Sequence, residues 1–124
     1  MAGVVHIPWY ATVFRHERLA TALEEIAPIA FKYGATEVMV HQFLDDAYRF
    51  DHQIWFESRE AFEVFWEGPE MMLFRARHSG WYQVPVLYGW SNVIARYELD
   101  ESEERETTTT AEQPAAAEDE QSAA

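Results

Sequence analysis

Val4 to Arg15 (VVHIPWYATVFR) carries apolar side chains at every second position, namely Val5, Ile7, Trp9, Ala11 and Val13, with His6, Tyr10 and Thr12 between them. A period of two predicts a strand with one buried face. Pro8 cannot donate to a ladder, so the pattern predicts either a regular strand that begins near Trp9 or a bulge at the proline. From Glu17 to Tyr33 the period lengthens. Leu19, Ala22, Leu23, Ile26, Ala30 and Tyr33 recur at three- and four-residue spacing, which predicts a helix with one buried stripe. Pro28 should kink that helix or break its bonding to Glu24, and Gly34 is a suitable stop.

Glu37–Leu44 and Tyr48–Glu57 return to alternation around the polar turn Asp45-Asp46-Ala47, which predicts a strand pair. Val38, Val40 and Leu44 share one parity, while Met39, His41 and Phe43 share the other. Both faces therefore read as substantially apolar, as in a sheet covered on both sides. Ser58 is a candidate N-cap for a helix over 59–67, and Gly68-Pro69 joins it to a second helical piece that runs to about Ser79. A last strand is predicted over Val86–Leu99, with Gly89 as a candidate bulge. The order β-α-β-β-α-β defines an α+β, ferredoxin-like antiparallel sheet with helices on one face. One such sheet leaves its second face bare, so two copies stacked face to face are expected to form a homodimer.

Composition divides the chain at residue 99. Residues 100–124 hold nine acids against Arg105, together with Thr-, Ala- and Gln-rich sequence and no aromatics, and are expected to be a disordered acidic tail. Residues 1–99 form the expected globular domain, with 13 acids, eight bases and an aromatic load ample for a packed core. Neither part offers a basic patch, so nucleic acid is not an expected partner. No basic leader precedes an apolar run and no stretch of 18 apolar residues occurs, so no membrane partner is expected. The absence of cysteine removes disulfides and thiolate chemistry and fits a cytoplasmic protein.

Candidate chemistry is sparse. The five histidines show no helical i, i+4 pair and no HExxH run, so no metal is expected. His52 stands in an otherwise apolar strand face, where an imidazole suits proton transfer from a phenol or hydroquinone. Met71, Met72, Leu73 and Phe74, with His78 one turn on, read as a pocket roof or as plain core. Arg75 and Arg77 read as clamps for a carboxylate or as partners of Glu67 and Glu70. Trp55, Trp66 and Trp90 could wall a flat aromatic ligand, while Trp81-Tyr82 reads as an anchor for the loop before the last strand. Glu24-Glu25 and Asp45-Asp46 are sequence neighbours that read as solvated.

The run WFESREAFEVFWEGPEM, followed after a short helix by PVLYGWSNVIARYEL, resembles the second half of dimeric α+β barrel proteins of the antibiotic biosynthesis monooxygenase type. Trp55–Leu99 carries the likeness, and the first half agrees in element order. The resemblance implies a homodimer with an aromatic-lined pocket between helices and sheet in each subunit. It implies a hydrophobic, aromatic or polyketide-like ligand, oxidised by O₂ without a cofactor. His52 or Tyr10 would then be the base, and Trp55, Phe65, Trp66, Met71, Phe74, His78 and Trp90 the pocket lining. The family's first-strand Asn is missing, because the single Asn of this chain is Asn92. On the Gly68-Pro69 alignment Phe65 takes the place of the second-helix Trp, and the His of heme-degrading relatives is replaced by Phe74 or Arg75. A non-catalytic ligand-binding or assembly protein of the same fold is the second expectation, and heme binding through His78 the third.

Overall fold

A computed structural model describes residues 2–99. Its elements are β1 (Gly3–Tyr10), α1 (His16–Ile26), a 3-10 helix (Ala27–Tyr33), β2 (Glu37–Gln42), β3 (Arg49–Phe56), α2 (Arg59–Trp66), α3 (Pro69–Arg77) and β4 (Gly89–Ser91). The strands form one antiparallel sheet in the order β2-β3-β1-β4, as the ferredoxin-like pattern predicts. The expected acidic tail lies outside the described residues. Residues 1–93 make one compact unit, and 94–99 carry no regular secondary structure.

Strand β1 runs unbroken through Pro8, which pairs with Asp51, so neither a late start nor a bulge occurs. The bonding directions explain this. Ala11 N–H turns toward β3, donating to Tyr48 O at 2.8 Å, while Tyr10 O turns the other way and accepts from Gln83 N–H at 2.8 Å. Alternation therefore aims the missing donor of Pro8 at the β4 side, and the ladder lapses there. β4 pairs only with Val4–His6, and contact resumes as an isolated bridge between Ala11 and Tyr82. The last strand is thus three residues long rather than reaching from Val86 to Leu99. At its far end it stops because β1 itself begins at Gly3, which leaves no backbone to continue the ladder.

Pro28 ends α1 as its missing N–H requires, and the chain tightens into the 3-10 helix rather than continuing as one kinked α-helix. Gly34, at φ 95°, closes it by donating to Phe31 O. Ser58 Oγ accepts from Ala61 N–H at 3.1 Å and caps α2. The joint before α3 needs glycine, because a Cβ at Gly68 would stand 2.8 Å from the Tyr33 hydroxyl and 2.9 Å from Val64 O.

Helices cover the face formed by Val5, Ile7, Trp9, Phe50, His52, Ile54 and Phe56, all buried. The opposite face is less apolar than expected. It carries His6, Tyr10, Met39, His41, Arg49, Asp51, Gln53 and Trp55, with His6 and Gln53 both bonded to Asp51.

Phe14 holds φ at +67° with its ring 85% exposed. The left-handed conformation is costly for a bulky residue and free for glycine. Phe14→Gly is therefore expected to raise stability by about 0.5–1 kcal/mol, read as a higher urea midpoint at unchanged slope.

Candidate functional site

The two residues expected to act as base do not meet. His52 pairs with Ile7 and Val40 on the helix-covered face and is 1% exposed. Trp9 Nε1–H donates to its Nδ1 at 3.3 Å, so the ring proton sits on Nε2, which is buried without an acceptor. Burial disfavours the charged ring more than the neighbouring Asp51 carboxylate favours it, and its pKa falls to about 4. Tyr10 stands on the other face, where its hydroxyl donates to Asp46 Oδ2 at 3.0 Å. That bond and the Asp46 charge push the Tyr10 pKa up, which makes a phenolate base scarcer.

The expected lining residues separate in the same way. Trp55 pairs with Val4 and Glu37 on the outer face, away from the others. Phe65, Met71 and Phe74 are buried core, and Trp66 and Trp90 are half-buried against it. Trp9 packs against Trp66 at 6.0 Å, Phe74 at 5.7 Å and Tyr82 at 4.9 Å between ring centroids. Phe62, unremarked in the sequence, touches Phe56, Phe65, Trp66, Tyr88 and Trp90. These rings fill the space between helices and sheet, so the residues are core where a pocket wall was expected.

Open space lies instead on the helix layer. A cleft of about 450 Å³ separates α1 from α3, with Ala22, Ile26, Leu73 and Phe74 as apolar lining and Glu25, Glu70, Arg77 and His78 as polar lining. A second depression of about 410 Å³ shares Ala22, Glu25 and His78 and continues past Arg18 and Thr21 to Trp81. His78 is thus common to both. Its Nδ1–H donates to Phe74 O at 2.8 Å, and its ring rests on Phe74 at 4.4 Å and Trp81 at 4.6 Å. A carbonyl oxygen can only accept, so the neutral ring keeps its lone pair on Nε2. The tautomer is the reverse of that in His52, and this ring borders open space.

Charges around the cleft are partly committed. Glu70 accepts from Lys32 Nζ and the Tyr33 hydroxyl, which hold its pKa down to about 2. The expected pairing of Glu70 with an arginine therefore gives way to partners on the 3-10 helix. Arg75 lays its guanidinium over the Trp66 ring at 4.0 Å, and its carbonyl accepts from the Tyr82 hydroxyl at 3.2 Å. Glu24 and Glu25, read together as solvated, diverge around α1. Glu25 lines the α3 side, and Glu24 lines a third depression of about 400 Å³ bordered by Val40, Gln42 and Phe50. The α1 wall escaped sequence reading because Ala22 and Ile26 look like ordinary core positions, and its only signal was one acid at the edge of their stripe.

Fold and cleft define an α+β, ferredoxin-like protein with a helix-side small-molecule cleft. No family model and no curated protein matches the chain. Solved structures of antibiotic biosynthesis monooxygenase-like proteins share its fold. A candidate antibiotic biosynthesis monooxygenase from Nitrosomonas europaea superposes at TM-score 0.68 and 15% identity, over 75% of this chain and 90% of that one. Rv0793 from Mycobacterium tuberculosis gives TM-score 0.67 at 13% identity, over 79% of this chain and 100% of its own. PA3566 from Pseudomonas aeruginosa gives 0.66 at 16% identity, over 77% and 97%. At these identities the likeness establishes the architecture expected from Trp55–Leu99. No helix among the described residues is long and apolar enough to cross a membrane.

Proposed function

We propose that this protein binds a hydrophobic aromatic molecule in the α1–α3 cleft and oxidises it with O₂ without a cofactor, His78 acting as the base. The observation that carries the reading is the fixed tautomer of His78 at the junction of two depressions. Nε2 takes a proton from an electron-rich ring system, and the resulting carbanion gives electrons to O₂. A carbon–oxygen bond forms and the oxygen–oxygen bond breaks, so that a ring CH₂ becomes C=O and the second oxygen leaves as water. The substrate is the reductant. Ala22, Ile26, Leu73 and Phe74 supply the apolar surface for such a molecule.

The test is oxygen uptake with anthrone-like and quinol substrates. Wild-type protein should consume O₂, His78→Ala should lower kcat by about 100-fold or more, and folded His52→Gln should retain activity. The second reading, a non-catalytic binder of the same fold, draws on the absence of a first-strand Asn and on the sealed state of His52. Binding without uptake across the panel would establish it.

We also propose a homodimer through the outer sheet face, where Tyr10 and Met39 are exposed beside the His6–Asp51–Gln53 network. Sedimentation at micromolar concentration should give a dimer, and a monomer there would overturn it.

A further inference from the structure

Glu25 and His78 are the polar side chains common to the two depressions along α1. One lobe is walled by Phe74 and Leu73, the other reaches Trp81, and His78 packs between the Phe74 and Trp81 rings at the waist. Among the described residues the two groups make no ion pair within 4.0 Å, so they face one another across open space.

We infer that Glu25 is the residue that sets ligand class in this cleft: the ligand spans both lobes and presents a neutral hydrogen-bond donor, a ring hydroxyl, at the waist. This deepens the reading of the α1–α3 cleft and rests on it. The chemistry at the waist is asymmetric. An ionised carboxylate only accepts, and Nε2 of His78 in its fixed tautomer also only accepts. Two acceptors converging on one point call for a donor between them, and a hydroxyl can serve either one while its ring lies along the apolar lobes. A carboxylate ligand would offer a third acceptor and a like charge, and such juxtaposition disfavours binding strongly. The basic groups nearby do not reverse this. Lys32 is engaged by Glu70, and Arg18 and Arg77 line separate lobes, one on each side of the waist. In the proposed reaction Glu25 would receive the ring hydroxyl while His78 takes the proton, which makes Glu25 a positioning residue.

The experiment compares two tricyclic probes that differ in one group, 2-anthrol and anthracene-2-carboxylate, titrated anaerobically into the full chain by calorimetry. Wild-type protein is expected to bind the anthrol about tenfold or more tighter than the carboxylate. Glu25→Gln keeps the shape and the acceptor but removes the charge. It should tighten the carboxylate by about fivefold or more while moving the anthrol by less than about threefold. Glu25 is exposed at the helix surface, so the variant should fold, checked by circular dichroism. Equal affinity for both probes, or a preference unchanged in Glu25→Gln, overturns the inference and leaves the cleft reading intact. Failure of either probe to bind, or anthrol binding unaffected by His78→Ala, overturns both.

Discussion

Phe62→Ala is expected to cost about 3–5 kcal/mol, the largest loss from any single ring in the helix layer. Phe62 is 1% exposed and is touched by five other aromatic rings. It joins the α2 face to Phe56 of β3 and to Trp90 of β4, so its removal opens a cavity where three elements meet. Rings that surround it are held by one another and cannot collapse far into the space. A domain of this size has a total stability of roughly 5–15 kcal/mol, so the variant should be partly unfolded or nearly so at 25 °C. Urea unfolding measures it. Val64→Ala, two residues away and 61% exposed, is the control and should stay within about 0.5 kcal/mol of wild type. A Phe62→Ala variant as stable as that control would mean that the ring cluster contributes little.

Acidification should weaken the fold in two separable steps. His52 has its pKa lowered from 6.5 to about 4 by burial. Between those values the unfolded chain binds a proton that the folded chain does not, so stability rises with pH there. The contribution is complete above pH 6.5 and is lost as pH falls through the window to 4, amounting to about 3 kcal/mol. Glu70 acts lower. Hydrogen bonds from Lys32 and Tyr33 hold its pKa at about 2 against the usual 4.5, and its contribution is present above 4.5 and lost as pH falls toward 2. His52→Gln keeps an acceptor for Trp9 Nε1–H but cannot ionise. Urea midpoints collected between pH 7 and 4.5 should be nearly level in that variant and should fall steeply in wild type. An equal fall in both would place the titrating group elsewhere.

The same His52 shows where sequence reading ran out. Its alternation with Phe50, Ile54 and Phe56 was legible and correctly placed it on the covered face. Whether that face held a cavity or packed rings was not legible, because it depends on α2 and α3 laying Phe62, Phe65 and Phe74 against Trp9. Tyr10 was one residue from Trp9, yet a period of two sends them to opposite sides of the sheet. Trp55 fell to the outer face for the same reason. His78 was noticed, but its tautomer follows from one backbone carbonyl a turn earlier, which no residue type announces.

Pattern and punctuation in the chain were enough for the element order, for the strand-by-strand parity, and for Gly34, Ser58, Gly68 and Pro28 as boundaries. These are local effects: side-chain period, one missing N–H, one hydroxyl within reach of a helix end, one backbone angle that favours glycine. Tertiary structure alone decided that β4 is short, since the donor missing at Pro8 matters only on the side where β4 lies. It also moved the functional surface from the inside of the fold to the groove between α1 and α3. Packing volume is the reason. Aromatic side chains dense enough to line a pocket were also bulky enough to fill it, and the remaining space lies where Ala22 leaves a gap in the helix layer.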